Sequence, residues 1–439
     1  MKPYPKITRR TFIQASAVSS AAATVGSRAA RGAAAPEPVR VGMVGVGQRG
    51  TGLLRALLQL PGVEVPAVCD IIEAHAARAQ DMVETARGTR PDAYITGERD
   101  YENLVVRSDL DAVITATPMD LHTPVMLAAM RAGKYGGTEV PAAMTLDECW
   151  ELVKTSEETG IPCMMLENVC YFQNVLSLLR MVREGVFGEL LHAQAGYQHD
   201  VRFLLADRDG NPTWRTDLYQ HLDGNLYPTH PIGPVAQWMN INRGDRFTAL
   251  SSVSTRPVGV RQHMIEKFGP EHPLAQREYL KGDINTSLLQ TANGLTVTLY
   301  YDVCTPRPYD LILRLQGTQG LYMGSMDKIY IHGTSPQHET YEDFAPYLER
   351  YPHPLWTELA EEAARHGGHG GSDYITVYEF IKAVRNRTQP PQDVYDAAAW
   401  SAIVPLSIDS VARGGALVEF PDFTEGRWRS NEPLGIYGA

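Results

Sequence analysis

The first half of the chain alternates short apolar runs with amphipathic helical patterns. The apolar run 39–44 is followed by a glycine-rich turn and a helical pattern, and a second apolar run ends at Asp70. Further apolar runs and helical patterns follow in the same order up to residue 168. Apolar strands that alternate with helices predict a doubly wound parallel sheet, which binds ligands outside the carboxyl ends of its strands. Four polar residues that follow such runs are therefore expected to face one crevice: Thr117, His122, Glu139 and Asn168.

The second half of the chain has a different pattern. From residue 188 onward, strand-like runs are separated by longer gaps, as in 190–198, 296–303 and 311–333. This spacing predicts a mostly antiparallel sheet with a few helices. Near the end of the chain a helical pattern is interrupted at 367–371, and it is expected to pack back near the junction of the two halves.

The predicted fold class is α/β. A Rossmann-type, doubly wound parallel sheet is expected in residues 36–168, and an α/β domain with a large open, mostly antiparallel sheet in residues 169–439. Residues 1–35 differ in composition, because Arg9 and Arg10 stand before a stretch rich in Ala and Ser that ends in small residues. This segment resembles a twin-arginine signal peptide and predicts an exported, periplasmic or secreted protein. A disordered tail and a mitochondrial presequence are the alternatives.

Charge and hydropathy narrow the classes of function. The formal net charge is -11, and Lys and Arg are scattered along the chain instead of forming the basic patch typical of nucleic-acid-binding proteins. After the leader-like segment, no run approaches the ~20 consecutive apolar residues of a membrane-spanning helix. The expected partner is therefore a small molecule, with no nucleic acid and no membrane span.

A glycine pattern follows the first apolar run. Gly45, Gly47 and Gly50 form G-x-G-x-x-G, in which the first glycine permits a tight turn, the second lets the backbone approach a pyrophosphate, and the third lets helix and strand pack closely. Asp70 stands at the end of the second run, where a carboxylate accepts both ribose hydroxyls of NAD and repels the 2′-phosphate of NADP. The sequence thus predicts NAD as the cofactor, and a purely structural turn is the alternative.

Four segments resemble the glucose–fructose oxidoreductase, inositol dehydrogenase and MocA superfamily: GVGQRG, ATPMDLH, AGKYGGTEVP and MLENVCY. The resemblance implies a Rossmann domain joined to a C-terminal domain whose open sheet covers the nicotinamide. Dehydrogenases of this superfamily usually carry Glu-Lys-Pro after the fifth strand, whereas this chain has Glu139, Val140 and Pro141. Because valine can neither donate nor accept a proton, the sequence argues against ordinary dehydrogenase chemistry.

Further segments, in the same order along the chain, resemble glycoside hydrolase family 109, the NAD-dependent α-N-acetylgalactosaminidases: ENVCY, GYQHD, WRT, GNLYPTH, INRGDRF and PRPYD. The resemblance implies that, beside the glycine turn and Thr117, NAD binds to Gln48, Arg49, Asp70, Met119, Asp120, Leu121, His122, Glu139, Val140 and Asn168. It implies that the sugar binds to Tyr197, Arg215, Tyr227, Pro228, Thr229, His230 and Tyr309.

The resemblance also implies a mechanism in which C3 of the sugar is oxidised, the C1 substituent is eliminated with the C2 proton, water adds, and C3 is reduced again, so that NAD is recycled. His230 is expected to take the C3 hydroxyl proton, and Tyr171 or Tyr227 to act at C2 or on the leaving group. Arg215 is expected to stabilise developing enolate charge. Segment 221–238 is rich in Pro and Gly, so it is expected to be an irregular loop that aims its Tyr and His at the nicotinamide.

Two other functions fit the sequence: a net NAD-dependent sugar or polyol dehydrogenase, and a non-catalytic sugar-binding protein. No metal site is predicted, because His366 and His369 are only two ligands in a glycine-rich run, and they are expected to mark a hinge or a helix end. Members of the superfamily often form dimers or tetramers, so the resemblance implies a homo-oligomer.

Overall fold

The computed structural model describes residues 37–366 and 368–434. The leader-like segment 1–35 lies outside the described residues, so export by the twin-arginine pathway stays a prediction. In the part of the chain that the structure describes, no helix has the length and apolar character needed to cross a membrane.

The first sheet consists of six parallel strands in the order β3-β2-β1-β4-β5-β6. The order reverses between β1 and β4, which is where doubly wound sheets bind ligands. Its strands are β1 (Val39–Val44), β2 (Val63–Cys69), β3 (Asp92–Tyr94), β4 (Ala112–Thr115), β5 (Tyr135–Thr138) and β6 (Cys163–Met165). The helices of this half are α1 (Gln48–Leu57), α2 (Glu73–Arg87), α3 (Tyr101–Val105), α4 (His122–Arg131), α5 (Leu146–Thr159) and α6 (Gln173–Arg183).

The glycine turn between β1 and α1 is packed so tightly that side chains are excluded. Gly45 has a φ of +77°, and a Cβ there would lie 2.7 Å from the backbone nitrogen of Thr117. A Cβ on Gly50 would lie 1.9 Å from the carbonyl oxygen of Gly45. The helix can therefore approach the strand this closely only with glycine at both positions.

The second sheet is mixed and mostly antiparallel, with nine strands in the order β14-β13-β12-β11-β7-β10-β9-β8-β15. Only β7 and β10 pair in parallel, which confirms the predicted fold class of a parallel sheet followed by a large open sheet. The boundary proposed at residue 168 stays a prediction. The strands are β7 (Leu190–Gln198), β8 (Phe247–Ser254), β9 (Ile284–Thr291), β10 (Thr296–Asp302), β11 (Arg314–Gly317), β12 (Gly320–Met323), β13 (Lys328–Ile331), β14 (Glu342–Asp343) and β15 (Val418–Glu419).

Helices of the second half pack around this sheet and against the first one. Asp373 in α13 makes hydrogen bonds to Arg49 and Asn168 of the first half, as expected for the interrupted helical pattern. The helices are α7 (Trp214–His221), α8 (Thr229–Trp238), α9 (Gly259–Phe268), α10 (Pro273–Gln276), α11 (Ala345–Arg350), α12 (Pro354–His366), α13 (Ser372–Asn386), α14 (Val394–Ser401) and α15 (Ile403–Ala412).

The expectation that segment 221–238 is an irregular loop was wrong over most of its length, because α8 begins at Thr229. Pro231 lies in the first turn, where backbone N–H groups have no helical partner. Pro234 removes only one interior hydrogen bond, and every residue of α8 except His230 is buried. Burial of this apolar segment outweighs its low intrinsic propensity to form a helix. His230 is the one residue of its first turn that stays partly accessible.

The packing of the glycine turn gives a testable prediction. We expect Gly50→Ala to lower the free energy of unfolding by about 1–3 kcal/mol, because the added Cβ overlaps the Gly45 carbonyl. The matched control is Gly52→Ala in the same helix, since a Cβ there meets no atom within 4 Å. This control should leave stability unchanged or raise it by up to about 1 kcal/mol. Urea denaturation measures both, and equal stability of the two variants would contradict the packing argument.

Candidate active site

The amino end of α1 is open to a ligand. Gly47 is the N-cap residue and no side chain caps the helix, so the backbone N–H groups of its first turn, which includes Gln48 and Arg49, lack helical partners. A Cβ on Gly47 would meet only the ring of His75, at 3.7 Å, so the space beside this glycine is not filled by the protein. Free N–H groups at a helix start bind anions such as a pyrophosphate.

Asp70 follows β2 and is fixed by the backbone beside this turn. Its Oδ2 accepts a hydrogen bond from the N–H of Val46 at 2.9 Å, and its Oδ1 accepts one from the N–H of Ile72 at 2.9 Å. A carboxylate has about four acceptor positions, so two remain for ribose hydroxyls. Arg78, which the sequence analysis did not single out, donates to the carbonyl of Val46 at 2.8 Å and holds the turn from the other side.

Arg49 joins the two halves of the chain through two carboxylates. Its Nε donates to Oε1 of Glu139 at 2.6 Å, and its Nη1 donates to Oδ2 of Asp373 at 2.8 Å. Burial of Asp373 favours the neutral acid, but a hydrogen bond from His369 and the charge of Arg49 hold the pKa of this carboxyl well below its usual range. Val140, which follows Glu139, is buried at 3% exposure.

Asn168 completes this cluster. Its Nδ2 donates to Oδ1 of Asp373 at 2.8 Å, while its own Oδ1 is buried and has no hydrogen-bond partner among the described residues. Through Asp373, Asn168 is thereby connected to Arg49 in the first turn of α1.

His122 holds two loops together and does not face the crevice. Its Nδ1 lies 2.7 Å from the carbonyl oxygen of Pro141, and its Nε2 lies 3.0 Å from that of Thr117. Burial lowers the pKa of this histidine, so the neutral ring satisfies one carbonyl at a time. The short 3-10 turn Met119–Leu121 lies between these loops. Its first residue, Met119, lines the cavity described below.

On the sugar side, five aromatic rings come together. The rings of Tyr197 and Tyr227 are 4.9 Å apart, and His230 packs edge-on against them at 5.2 Å and 4.9 Å. Tyr309 packs against His199 at 5.0 Å and against Tyr197 at 6.3 Å. The structure therefore brings the predicted Tyr and His residues into one cluster, although they come from three separate stretches of the chain.

A cavity beside this cluster is lined from both halves of the molecule. Arg215 borders it, with its guanidinium 4.2 Å above the ring of Trp214. Pro228 and Thr229 are buried and do not line it. The lining residues are Met119, Tyr197, Val201, Leu204, Trp214, Arg215, Leu218, Tyr219, Leu226, Tyr227, Tyr301 and Val303.

A buried carboxylate orients His230. Oε1 of Glu167, whose side chain is 0% exposed, lies 2.7 Å from Nδ1 of His230 and also accepts a hydrogen bond from the N–H of Val169 at 3.0 Å. Because a carboxylate only accepts, Nδ1 carries the hydrogen and Nε2 is the basic nitrogen. Gln392 fixes the backbone of Glu167 through two hydrogen bonds, at 3.0 and 3.1 Å. This arrangement suits proton abstraction by Nε2.

The two candidate tyrosines differ in accessibility. Tyr171 is 0% exposed, whereas Tyr227 lines the cavity. Burial raises the pKa of Tyr227 well above its usual value, and the charges of Glu139 and Glu167 raise it further. In the ligand-free protein Tyr227 is therefore a hydrogen-bond donor and not a base.

A second histidine–carboxylate pair lies at the rim of the site. Nδ1 of His369 is 2.9 Å from Oδ2 of Asp373, and this hydrogen bond raises the pKa of His369. Oδ2 of Asp373 also accepts the hydrogen bond from Arg49, so His369 and Arg49 meet at one carboxylate oxygen. The residues 368–371 all have positive φ, so the glycines there allow the sharp turn that presents His369.

Besides Arg78, three more groups at the site were not identified from the sequence: Glu167, Asp373 and Arg307. Glu167 stands directly after β6, at the edge of the sheet where ligands bind, so its position was a usable signal. Asp373 had no such signal, because its partners Arg49 and Asn168 are distant in sequence. Arg307 stands in the PRPYD segment, but its contact with Gln198 spans 109 residues. Arg307 donates to Asp302 and to Gln198, both at 2.9 Å, and so anchors the loop that carries Tyr309.

Within the described residues, no group of three or more His, Cys, Asp or Glu side chains is placed to hold a metal ion. His366 instead contacts Oε2 of Glu362 at 2.9 Å, inside α12, which ends at this residue.

Two family models match the chain. The model described as glycosyl hydrolase 109, C-terminal domain, matches residues 171–430, and the model described as oxidoreductase family, NAD-binding Rossmann fold, matches residues 39–166. A glycosyl hydrolase family 109 protein of Shewanella amazonensis is 43% identical over 450 residues, covering 98% of this chain and 99% of the relative. One of Parabacteroides distasonis is 40% identical over 461 residues, covering 97% and 98%. The chain belongs to glycosyl hydrolase family 109.

Solved structures share the fold of this family 109 chain. A levoglucosan dehydrogenase in complex with NADH has a TM-score of 0.65 at 21% identity and covers 88% of this chain and 100% of its own. An NAD binding oxidoreductase from Klebsiella pneumoniae has a TM-score of 0.68 at 16% identity, covering 88% and 99%. The N-terminal part is an NAD-binding Rossmann domain, which confirms the cofactor predicted from the glycine turn and Asp70.

The pair of His369 and Asp373 gives a prediction with a definite pH dependence. Because the folded pKa of His369 is raised, its contribution to stability is complete below the unfolded value of about 6.5 and is lost as the pH rises through the folded pKa. We expect His369→Gln to lower the free energy of unfolding by about 0.5–1 kcal/mol at pH 6 and by less at pH 9, since the ring is half exposed.

Urea denaturation at both pH values measures this difference. The matched control is His338→Gln, because His338 is exposed and lies 4.0 Å from Glu339. It should change stability little at either pH. An equal loss for His369→Gln at pH 6 and pH 9 would show that the pair contributes packing and no charge.

Proposed function

We propose that this protein hydrolyses α-N-acetylgalactosaminides with NAD as a recycled cofactor. The observation that carries the proposal is the buried Glu167–His230 pair, packed against tyrosines that line a cavity reached by Met119 from the NAD-binding half. The N-acetylgalactosamine part rests on the resemblance of the GNLYPTH and PRPYD segments to the α-N-acetylgalactosaminidases.

The residues present fit NAD. The uncapped start of α1 would hold the pyrophosphate, and Asp70 would hold the ribose hydroxyls. Arg49 and Glu139 would border the nicotinamide end, since Glu139 directly follows β5 at the carboxyl edge of the parallel sheet and binds Arg49. When bound, NAD supplies hydride acceptance from the sugar ring and hydride return to it.

The proton transfers fall to residues of this chain. Nε2 of His230 would take the proton of a ring hydroxyl, and the buried carboxylate of Glu167 would stabilise the resulting imidazolium. Arg215 would lower the energy of an enolate formed next to the oxidised carbon. Of the two tyrosines, Tyr227 is the one that a sugar in the cavity can touch, and it would donate a hydrogen bond.

His369 is suited to protonate the leaving group. Its side chain is 53% exposed at the rim, and a leaving group must depart toward solvent. The hydrogen bond to Asp373 raises the pKa of His369 and so favours the protonated ring, the form that can donate a proton. This assigns an acid to the solvent side of the site and a base, His230, to the cofactor side.

Export of the folded protein is part of the same proposal. A recycled NAD must be bound before the protein leaves the compartment that supplies it, and the twin-arginine pathway carries folded proteins. Arg9 and Arg10 support this route.

The proposal is tested by assaying the purified protein with an aryl α-N-acetylgalactosaminide and no added cofactor. We expect release of the phenol, no net growth of NADH absorbance, and loss of activity once NAD is stripped out and its recovery when NAD is returned. In D2O the product should carry deuterium at C2, because the elimination removes that proton.

Two results would contradict the proposal. Hydrolysis that persists after complete removal of NAD would exclude the recycled cofactor. Stoichiometric accumulation of NADH with free sugars, without phenol release, would identify a net dehydrogenase.

A further inference from the structure

A fully buried lysine lies behind the sugar cavity and has no role in the chemistry described above. Lys281 is 0% exposed, and its Nζ donates to the carbonyl oxygen of Gly282 at 2.9 Å. No ion pair joins it to a carboxylate of the described residues. Burial raises the pKa of the nearby Cys304 thiol, and the positive charge of Lys281 opposes that rise. A charge in a buried position is weakly screened, so the charge of Lys281 acts on the groups around it.

Two tyrosine rings separate this ammonium from the cavity. Nζ of Lys281 lies 4.5 Å from the ring centre of Tyr301 and 5.3 Å from that of Tyr219, distances at which a cation binds an aromatic face. Both rings line the cavity. The backbone N–H groups of Leu280 and Lys281 donate to the carbonyl oxygen of Tyr219, both at 3.0 Å, which ties the lysine to α7.

The two tyrosines support the residues expected to hold the sugar. Tyr301 in β10 is the register partner of Tyr197 in β7, and Tyr219 lies one helical turn after Arg215 in α7. Their hydroxyl oxygens are 3.4 Å apart, so one hydroxyl donates to the other and one O–H remains to donate elsewhere. Burial raises the pKa of both phenols, so both stay protonated.

We propose that Lys281 is a positioning residue that determines which substituent of the sugar this end of the cavity accepts. Its buried charge acts through Tyr219 and Tyr301. It favours a neutral hydrogen-bond acceptor, such as an amide carbonyl, and excludes a cationic group. The apolar side chains around the two hydroxyls, Leu218 and Val303 among them, suit the methyl of an acetamido group. The inference rests on the proposed function only in that a sugar occupies this cavity.

The test compares aryl α-galactosides that carry either an acetamido or a free, protonated amino group at C2. In wild type we expect strong preference for the acetamido substrate. Lys281→Met keeps the length and apolar stem of the side chain, and we expect it to lower the ratio of the two kcat/KM values at least tenfold. Partial loss of folded protein would lower both rates together and leave the ratio unchanged.

The matched control is Lys267→Met, because Lys267 also lies over an aromatic ring, 4.9 Å from the centre of Phe268, but is exposed and outside the cavity lining. It should leave the ratio as in wild type. Should Lys281→Met not fold, Tyr301→Phe keeps the ring and removes one hydroxyl. This variant should weaken the acetamido substrate about five- to tenfold while the amino substrate stays excluded.

Calorimetry separates this inference from the proposed function. N-acetylgalactosamine and galactosamine are titrated into NAD-loaded protein, so the ratio of their Kd values is measured whether or not any glycoside is hydrolysed. A ratio that is unchanged in folded Lys281→Met, or binding of neither sugar to wild type, would overturn the inference. Absence of hydrolysis with the expected Kd ratios would count against the proposed function alone.

Discussion

The hydrogen bond between Glu167 and His230 is the interaction on which the site depends. A carboxylate that is 0% exposed loses its hydration, and here one oxygen is compensated by His230 and the N–H of Val169, while Oε2 has no hydrogen-bond partner among the described residues. Removing one partner of such a buried pair costs about 3–5 kcal/mol. Gln392 fixes the backbone of Glu167, so the carboxylate holds the imidazole in one tautomer and one orientation.

This bond also joins the two parts of the chain. Glu167 follows the last strand of the NAD-binding sheet, and His230 stands in the first turn of α8, which packs beside the second sheet. A second connection runs through Arg49, whose guanidinium links the glycine turn of NAD binding to Asp373 in α13. Both connections are formed by charged groups at the carboxyl edge of the parallel sheet, which is the edge where sheets of this kind bind their ligands.

Much of this arrangement follows from local sequence. The alternation of apolar runs and helical patterns, and the spacing of Gly45, Gly47 and Gly50, reflect constraints within a few residues, and both predictions were confirmed. The start of α8 was not predictable in the same way, because its prolines oppose a helix and only burial of its residues in the assembled fold outweighs them. Asp373 was missed for a related reason, since its partner Arg49 is 324 residues away.

The central claim is that Glu167 makes His230 a base, and Glu167→Gln tests it most directly. Glutamine is close in size to glutamate but carries no charge, so the substitution removes the charge and little else. NAD content, thermal stability and KM are measured beside kcat to show that the variant is folded and still binds cofactor and substrate. We expect kcat to fall at least about 10²-fold while bound NAD and KM change little, because the imidazolium loses its counter-charge. A variant that folds, retains NAD and keeps the kcat of wild type would contradict it.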